Sequence, residues 1–359
     1  MVTVLIIACP HALGLATPLV TSRSTSIAAK NGLLIRNRVA FESAFKLDRV
    51  VFDKTGTLTE GNFGVTDIHP SEGISEEELL KLAYSVETQS DHPIAKGIVK
   101  EGNDRNLTPL DVKDYQNLTG KGLVAKIGDA EIAVISPGAM KANKISFDEK
   151  IYDQLALQGK TVVFVLKDNV LQGMIALADI IRESSYKVIK ELNDRGIETV
   201  MMTGDNTRVA NYVGEKLGIS KVIAEVLPHE KSNNVKYLKQ NGKKVAMIGD
   251  GINDAPALAE ADLGIAIGAG TDVAIETADV ILVNSNPVDI LNIIKLSKAS
   301  RRKMVQNLGW AAGYNIVAIP LAAGVLYNVG FVITPAVGAA VMSLSTIICA
   351  INAQLLKID

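Results

Sequence analysis

Residues 49–57 read Arg-Val-Val-Phe-Asp-Lys-Thr-Gly-Thr. An apolar run cut off by turn-forming residues describes a short strand buried on both faces, and a loop that opens at Asp53. The same pattern recurs downstream. Apolar strands are expected at 197–201, 221–224, 243–248, 262–266 and 279–283, separated by amphipathic helices near 182–194, 206–217, 228–240 and 287–300. Short apolar strands alternating with helices imply a parallel, doubly wound α/β sheet, and ligands of such sheets bind beyond the C-terminal strand edge. Asp53, Thr203-Gly204-Asp205 and Gly249-Asp250-Gly251 each follow a strand directly, so they are expected to converge on that edge.

From about residue 62 to 168 the alternation stops. Two helices (75–88 and 93–101) are followed by strands at 111–118, 122–127, 130–135 and 161–166. This reads as an insertion with an α+β core of its own, of ordinary domain size.

The charges are partitioned. The chain of 359 residues has 37 Lys and Arg against 39 Asp and Glu, a net charge of -2, which excludes a globally basic nucleic-acid binder. Met1–Ser22 and Met304–Leu356 contain no charged residue at all. The mean hydropathy of +0.22 therefore averages a charged body with apolar ends. Both cysteines, Cys9 and Cys349, lie in those ends, so a disulfide scaffold and a CxxC metal module are excluded.

The tail is long enough for two membrane helices, near 304–326 and 331–356, with a turn at Tyr327-Asn328-Val329-Gly330. Arg301, Arg302 and Lys303 precede it and Lys357 follows it, which makes both ends of the hairpin cytoplasmic. Arg23, Lys30, Arg36 and Arg38 follow the N-terminal segment, so its C-terminal end is cytoplasmic too. One span before a cytoplasmic body and two after it is an odd number. The first span also opens close to Cys9-Pro10. The expectation is a chain that lacks its N-terminal part.

Asp53-Lys54-Thr55-Gly56-Thr57 resembles the aspartyl-phosphate signature of the P-type ATPases, which is carried on a haloacid-dehalogenase-like domain. Met202-Thr203-Gly204-Asp205-Asn206, Lys231 after Pro228, and Gly249-Asp250-Gly251-Ile252-Asn253-Asp254-Ala255-Pro256 resemble that family's further motifs, in family order. Asp179-Ile180-Ile181-Arg182 resembles the entry to the second half of the same domain.

The resemblance implies Asp53 as nucleophile and Mg²⁺ held by Asp53, Asp250 and the main-chain oxygen of Thr55. Thr203 and Lys231 would donate to the phosphoryl oxygens, with Asp254 orienting the site. Soluble phosphatases of the superfamily carry an acid/base Asp two positions after the nucleophile. Thr55 stands there instead, so the phosphoenzyme is expected to persist. The implied domains are a membrane helix over 1–30, a phosphorylation domain over 31–61 and 169–297, a nucleotide-binding domain over 62–168, and two membrane helices over 298–359.

Glu87 and Ser90-Asp91-His92-Pro93 resemble the nucleotide-binding insertion of the heavy-metal ATPases, and Gly120-Lys121-Gly122 its glycine pair. The resemblance implies ATP, with Glu87 and His92 on the adenine and Gly120 and Gly122 near the phosphates. His92 ahead of Pro93 is also a plain helix cap, and that reading stays open.

Cys9-Pro10-His11 combines a helix-kinking proline with a soft and a borderline metal ligand. Histidine at membrane depth marks a pathway more readily than a packed core. The tripeptide resembles that of the CopB-like copper/silver subgroup, which implies Cu⁺, Cu²⁺ or Ag⁺ as cargo at Cys9 and His11. Asn307, Gly313-Tyr314-Asn315 and Pro320 resemble one helix of that subgroup. Met342-Ser343-Leu344-Ser345-Thr346 with Asn352-Ala353 resembles the next. Tyr314, Asn315, Met342, Ser343, Ser345 and Thr346 are therefore candidate ion ligands, with interhelical packing as the open alternative.

No Thr-Gly-Glu occurs in the chain. In the family that tripeptide belongs to the actuator domain, whose glutamate positions the water that cleaves the phosphoenzyme. The implied activity is ATP-driven export of copper or silver from a multi-pass membrane protein with cytoplasmic catalytic domains. This chain would be its catalytic C-terminal part, with membrane lipid and a separately encoded N-terminal portion as partners. The alternatives are a membrane-anchored phosphatase of the same superfamily and a non-transporting nucleotide-binding remnant.

Overall fold

The computed structural model describes residues 2–7, 11–118, 121–268, 271–330 and 332–358. In chain order its strands begin with β1 (Leu33–Ile35), β2 (Arg49–Asp53), β3 (Thr59–Pro70), β4 (Val112–Leu118), β5 (Gly122–Ile127), β6 (Ala130–Ile135), β7 (Thr161–Lys167) and β8 (Val170–Ile181). They continue with β9 (Glu198–Met202), β10 (Lys221–Ile223), β11 (Val245–Gly249), β12 (Leu263–Ile267) and β13 (Val280–Leu282).

Seven of these form one sheet in the order β1-β13-β12-β11-β2-β9-β10. β9 and β10 are parallel, as are β11 with β12 and β12 with β13, while β1 closes one edge antiparallel to β13. Val50, Val51 and Phe52 of β2 are fully buried, as an apolar run without alternation requires of an interior strand. The helices Glu183–Asp194, Thr207–Leu217 and Lys231–Leu238 fall where periodicity predicts them. The last begins late because Pro228–Glu230 forms a separate 3₁₀ turn.

The other six strands form an antiparallel sheet ordered β3-β8-β7-β6-β5-β4. The helices Glu76–Glu87 and Pro93–Asp104 cover one face, where Leu79, Leu80 and Ile98 pack with Ile132, Val165 and Ile175. Met140 and Leu155 pack with Phe164 on the other side. The long strands β3 and β8 were not expected. Within β3 only Thr59, Gly64 and Ile68 are buried, and the strand is rich in polar residues, so it shows neither an apolar run nor a strict alternation. It runs across position 62.

The helix expected over 287–300 continues without a break as Asp289–Ala322, since no residue before Pro320 interrupts the backbone where the charges end. It packs with the helices His11–Lys30 and Pro335–Gln354. The turn between the last two long helices lies at Tyr327–Val329, closed by Gly330 at φ 79°. Among the described helices, Pro335–Gln354 is long and apolar enough to cross a membrane. The stretch after Met304 is uncharged but less apolar, interrupted by Gln306, Asn307, Tyr314 and Asn315.

Candidate functional site

Asp53 is the last residue of β2 and is 7% exposed. The chain then turns. Thr55 departs from helical geometry and Gly56 takes φ 74°, a left-handed conformation that favours glycine. Three side chains hold this loop from outside. Arg182 donates through Nε to the Thr59 carbonyl at 2.9 Å and through Nη2 to the Gly56 carbonyl at 3.2 Å. The Ser185 hydroxyl donates to the Leu58 carbonyl at 2.8 Å. Asp179 accepts the Gly61 amide at 3.0 Å and lies 2.5 Å from the Thr59 hydroxyl. Burial pushes the Asp179 carboxyl above the usual carboxylate range, against the pull of Thr59 and Lys54. Lys54 itself is buried and pairs with Asp205 at 2.5 Å.

The motifs of the sequence give Asp179 and Arg182 no part in this loop. The available signal was an acid and a base three residues apart at the mouth of a predicted helix. Thr57 was missed as well. It is fully buried, and its hydroxyl has no partner among the described residues.

Thr203, 3% exposed, follows β9, and its hydroxyl accepts the Asp205 amide at 3.1 Å. Asp250 follows β11, the neighbour of β2 in the sheet. Asp254 is 2% exposed and fully engaged. One oxygen accepts from Lys231 Nζ at 2.6 Å, and the other accepts the amides of Asp250 and Gly251 at 3.2 Å each. A Cβ on residue 249 would stand 2.6 Å from that second oxygen, so the approach requires Gly249. Asp53 ends β2, and Asp250 and Asp254 follow β11; all three offer carboxylate oxygens. An anionic, all-oxygen donor set of this kind fits Mg²⁺, a hard cation.

In the six-stranded body a cavity of about 290 Å³ is lined by Glu87, His92, Asn117, Lys121, Gly122 and Ser136, among others. Glu87 is 4% exposed, and burial pushes its carboxyl up to about 7. His92 both lines the cavity and caps the helix Pro93–Asp104, its Nδ1 accepting the Ile94 amide at 3.3 Å. The two readings of this histidine are therefore compatible. An accepting Nδ1 leaves Nε2 as the nitrogen that carries hydrogen. Gly122 sits at φ 133°, and a Cβ there would meet the Val134 carbonyl oxygen at 2.1 Å. Its missing side chain thus serves strand pairing directly. Gly120 lies outside the described residues.

Cys9 also lies outside them; His11 opens the helix His11–Lys30, and its side chain is not described. The hydroxyl of Tyr314 and the side-chain oxygen of Asn315 are buried without a partner among the described residues. Ser343 and Thr346 bond back to the carbonyls of Ala339 and Met342 in their own helix, at 3.0 and 3.2 Å. Ser345 is buried and Met342 half-buried. Asn307, quoted above without a role, is fully buried and joins three helices. Its amide donates to the carbonyls of Ala16 at 3.1 Å and Cys349 at 3.2 Å, and it accepts from Asn352 at 2.7 Å.

Residues 47–262 match the family of haloacid dehalogenase-like hydrolases. Over 99% of its length the chain is 55% identical to the copper-exporting P-type ATPase B of Archaeoglobus fulgidus, of which it covers 51%. It is 49% identical to the copper-exporting P-type ATPase B of Enterococcus hirae, covering 99% of this chain and 48% of that one. The chain thus spans about half the length of the curated relatives it matches. The crystal structure of a zinc-transporting PIB-type ATPase in the E2.Pi state superposes with a TM-score of 0.87 at 36% identity, covering 98% of this chain and 56% of that one. The catalytic domain of the CPx-ATPase CopB-B aligns at 30% identity with a TM-score of 0.56, over 75% of this chain and 98% of that one. Motifs, fold and relatives agree: the chain belongs to the haloacid dehalogenase-like hydrolases and, within them, to the P-type ATPases.

Proposed function

We propose that the chain is the phosphoryl-transfer portion of an ATP-driven exporter of copper or silver ions, phosphorylated on Asp53. The observation that carries the reading is the Asp53 loop, held by Asp179, Arg182 and Ser185, in which Thr55 occupies the position two residues after Asp53. The Asp53 carboxylate attacks the terminal phosphorus of ATP. The bond from that phosphorus to the bridging oxygen breaks, its electron pair leaves with ADP, and an aspartyl-phosphate remains. Asp53, Asp250 and the Thr55 main-chain oxygen would hold Mg²⁺, which supplies charge neutralisation at the phosphoryl oxygens. Lys231 and Thr203 are the proposed donors to those oxygens. Asp254 is a positioning residue, acting through Lys231 and through the amides of Asp250 and Gly251. Threonine at 55 cannot take a proton from water as a carboxylate would, which favours a lasting phosphoenzyme.

In the same reading ATP enters through the 290 Å³ cavity, with the Nε2–H of His92 and the carboxyl of Glu87 turned to the adenine. The phosphorylation domain is 31–61 with 169–297, the nucleotide domain 62–168, and both are cytoplasmic. Segments 1–30 and 298–359 belong to the membrane part. The cargo assignment draws on the names of the relatives and on the soft ligand pair Cys9 and His11, with Tyr314, Asn315, Met342, Ser343, Ser345 and Thr346 as further proposed ligands.

The test is ATP-dependent phosphoenzyme formation in the native full-length protein, comparing Cu⁺, Cu²⁺, Ag⁺ and Zn²⁺. Asp53→Asn abolishes the label and Cys9→Ala removes its metal dependence. A label surviving in Asp53→Asn overturns the nucleophile, and equal stimulation by Zn²⁺ overturns the cargo.

A further inference from the structure

Where the helix Asp289–Ala322 passes from its charged to its uncharged half, a cavity of about 830 Å³ opens against the C-terminal end of the helix Pro335–Gln354. Lys295, Lys298, Arg302 and Lys303 line it from one helix, Arg195 and Lys357 from elsewhere, and no acidic residue takes part. Positions 295, 298, 302 and 306 advance in steps of three and four, so they form one stripe.

A helix leaving water for lipid gathers cations at its end, and that alone accounts for their number. It does not account for their arrangement. Lys295, Lys298, Arg302 and Lys357 line one concave wall with no carboxylate partner among the described residues. Lys298, Arg302 and Lys357 are exposed and Lys295 half-buried, so water screens their mutual repulsion in part, and a bound anion would relieve the rest. Arg195 is already paired with Glu191, and Lys303 donates to Asn352 at 2.8 Å. At the inner end of the stripe the Gln306 side-chain oxygen is buried without a partner, an acceptor waiting for a donor. The rim is apolar, with Leu355 59% exposed beside the buried Leu356.

We infer that this cavity binds the headgroup of an anionic phospholipid. The phosphodiester lies along Lys295, Lys298 and Arg302, and the acyl chains run outward past Leu355. A lipid fits better than a soluble phosphate because the cations stop where the uncharged segment starts at Met304, and the cavity wall continues into exposed leucine. The inference rests on the membrane reading of this part of the chain.

The protein carries its own reporter. Trp310 is the single tryptophan, 59% exposed, and lies one helical turn beyond Gln306. The full chain in detergent micelles is titrated with phosphatidylglycerol or phosphatidylcholine bearing brominated acyl chains, which quench tryptophan on contact. Half-quenching is expected at about fivefold lower mole fraction of phosphatidylglycerol. Lys295→Gln, Lys298→Gln and Arg302→Gln together remove that preference, and Lys295→Arg with Lys298→Arg keeps it. Lys298→Gln alone reduces the preference, which keeps the test decisive if circular dichroism shows the triple variant unfolded. Equal quenching by both lipids in the unaltered chain overturns the headgroup site while leaving the membrane reading intact. Quenching by neither overturns both. Loss of the preference in millimolar inorganic phosphate would reassign the site to a soluble anion and overturn the lipid assignment.

Discussion

The side chains of Asp179 and Thr59 meet at 2.5 Å, between the strand that leaves the Asp53 loop and the strand that returns to it. The Thr59 hydroxyl has one hydrogen and two acceptors, since the Lys54 carbonyl stands 2.9 Å away. That hydrogen can go to Asp179 or to the carbonyl, while the other Asp179 oxygen accepts the Gly61 amide at 3.0 Å. The loop carrying Asp53 is thereby tied to a residue 120 positions away.

Asp179→Asn is expected to preserve this arrangement, because an amide can donate to Thr59 and accept from Gly61. Asp179→Leu and Arg182→Ala leave the loop untied. Phosphoenzyme formation should slow about 100-fold in both, the usual cost of a misplaced reacting group, with ATP affinity unchanged. Rapid-quench labelling beside equilibrium nucleotide binding separates the two quantities. A parallel loss of ATP affinity would count against a positioning role.

Asp254 is the acceptor for a buried ammonium. Lys231 is 9% and Asp254 2% exposed at the side chain, and their contact is 2.6 Å. Asp254→Ala should cost about 1–3 kcal/mol, because it removes the acceptor of the Lys231 ammonium and of two amides. Asp254→Ala combined with Lys231→Met should recover part of it. Thermal unfolding of the two variants against the parent measures the difference, and no recovery in the double variant would refute the coupling.

Glu87 makes stability depend on pH. Its carboxyl is pushed up to about 7 from the ordinary 4.5. Below pH 4.5 it is protonated in both the folded and unfolded chain and costs nothing. Between those values the unfolded chain ionises first and binds fewer protons, so stability falls as pH rises, and above pH 7 the loss is complete. The whole effect is on the order of 3 kcal/mol. Glu87→Gln should remove this slope and stabilise the protein at pH 8, as read from denaturant midpoints across the range. An unchanged slope in the variant would contradict the assignment.

Asn307 is expected to act as a clasp among three helices. Asn307→Ala leaves the Asn352 amide without its acceptor and frees the ties to Ala16 and Cys349. The loss should be about 1–3 kcal/mol. It should appear as a lower unfolding temperature in detergent with phosphoenzyme formation preserved. An unfolding temperature equal to the parent's would remove the clasp.

Much of the α/β body was legible because its strands are short, continuous apolar runs and its helices are strongly amphipathic. Both are patterns within a dozen residues of one another. The sheet partners β3 and β8 were not legible. They pair antiparallel from Thr59 opposite Ile181 to Pro70 opposite Gly173; β3 has no apolar run, and the buried run Met174–Leu177 of β8 is built of good helix formers as much as of strand formers.

The sequence by itself determined which residues are proposed for the chemistry: Asp53, Thr203 and Asp250 directly follow or end apolar strands, and Lys231 and Asp254 stand in motifs nearby. It also determined where charge ends and the uncharged helices begin. Only the tertiary structure decided what restrains those groups. Asp254 is committed to Lys231 and two amides, Asp179 and Arg182 hold the Asp53 loop, Asn307 joins three helices, and six cations gather around one cavity. The physical reason is range. Periodicity and turn chemistry act between neighbours in the chain, whereas burial and hydrogen-bond partnership are settled between residues far apart in sequence that meet only once the fold has formed.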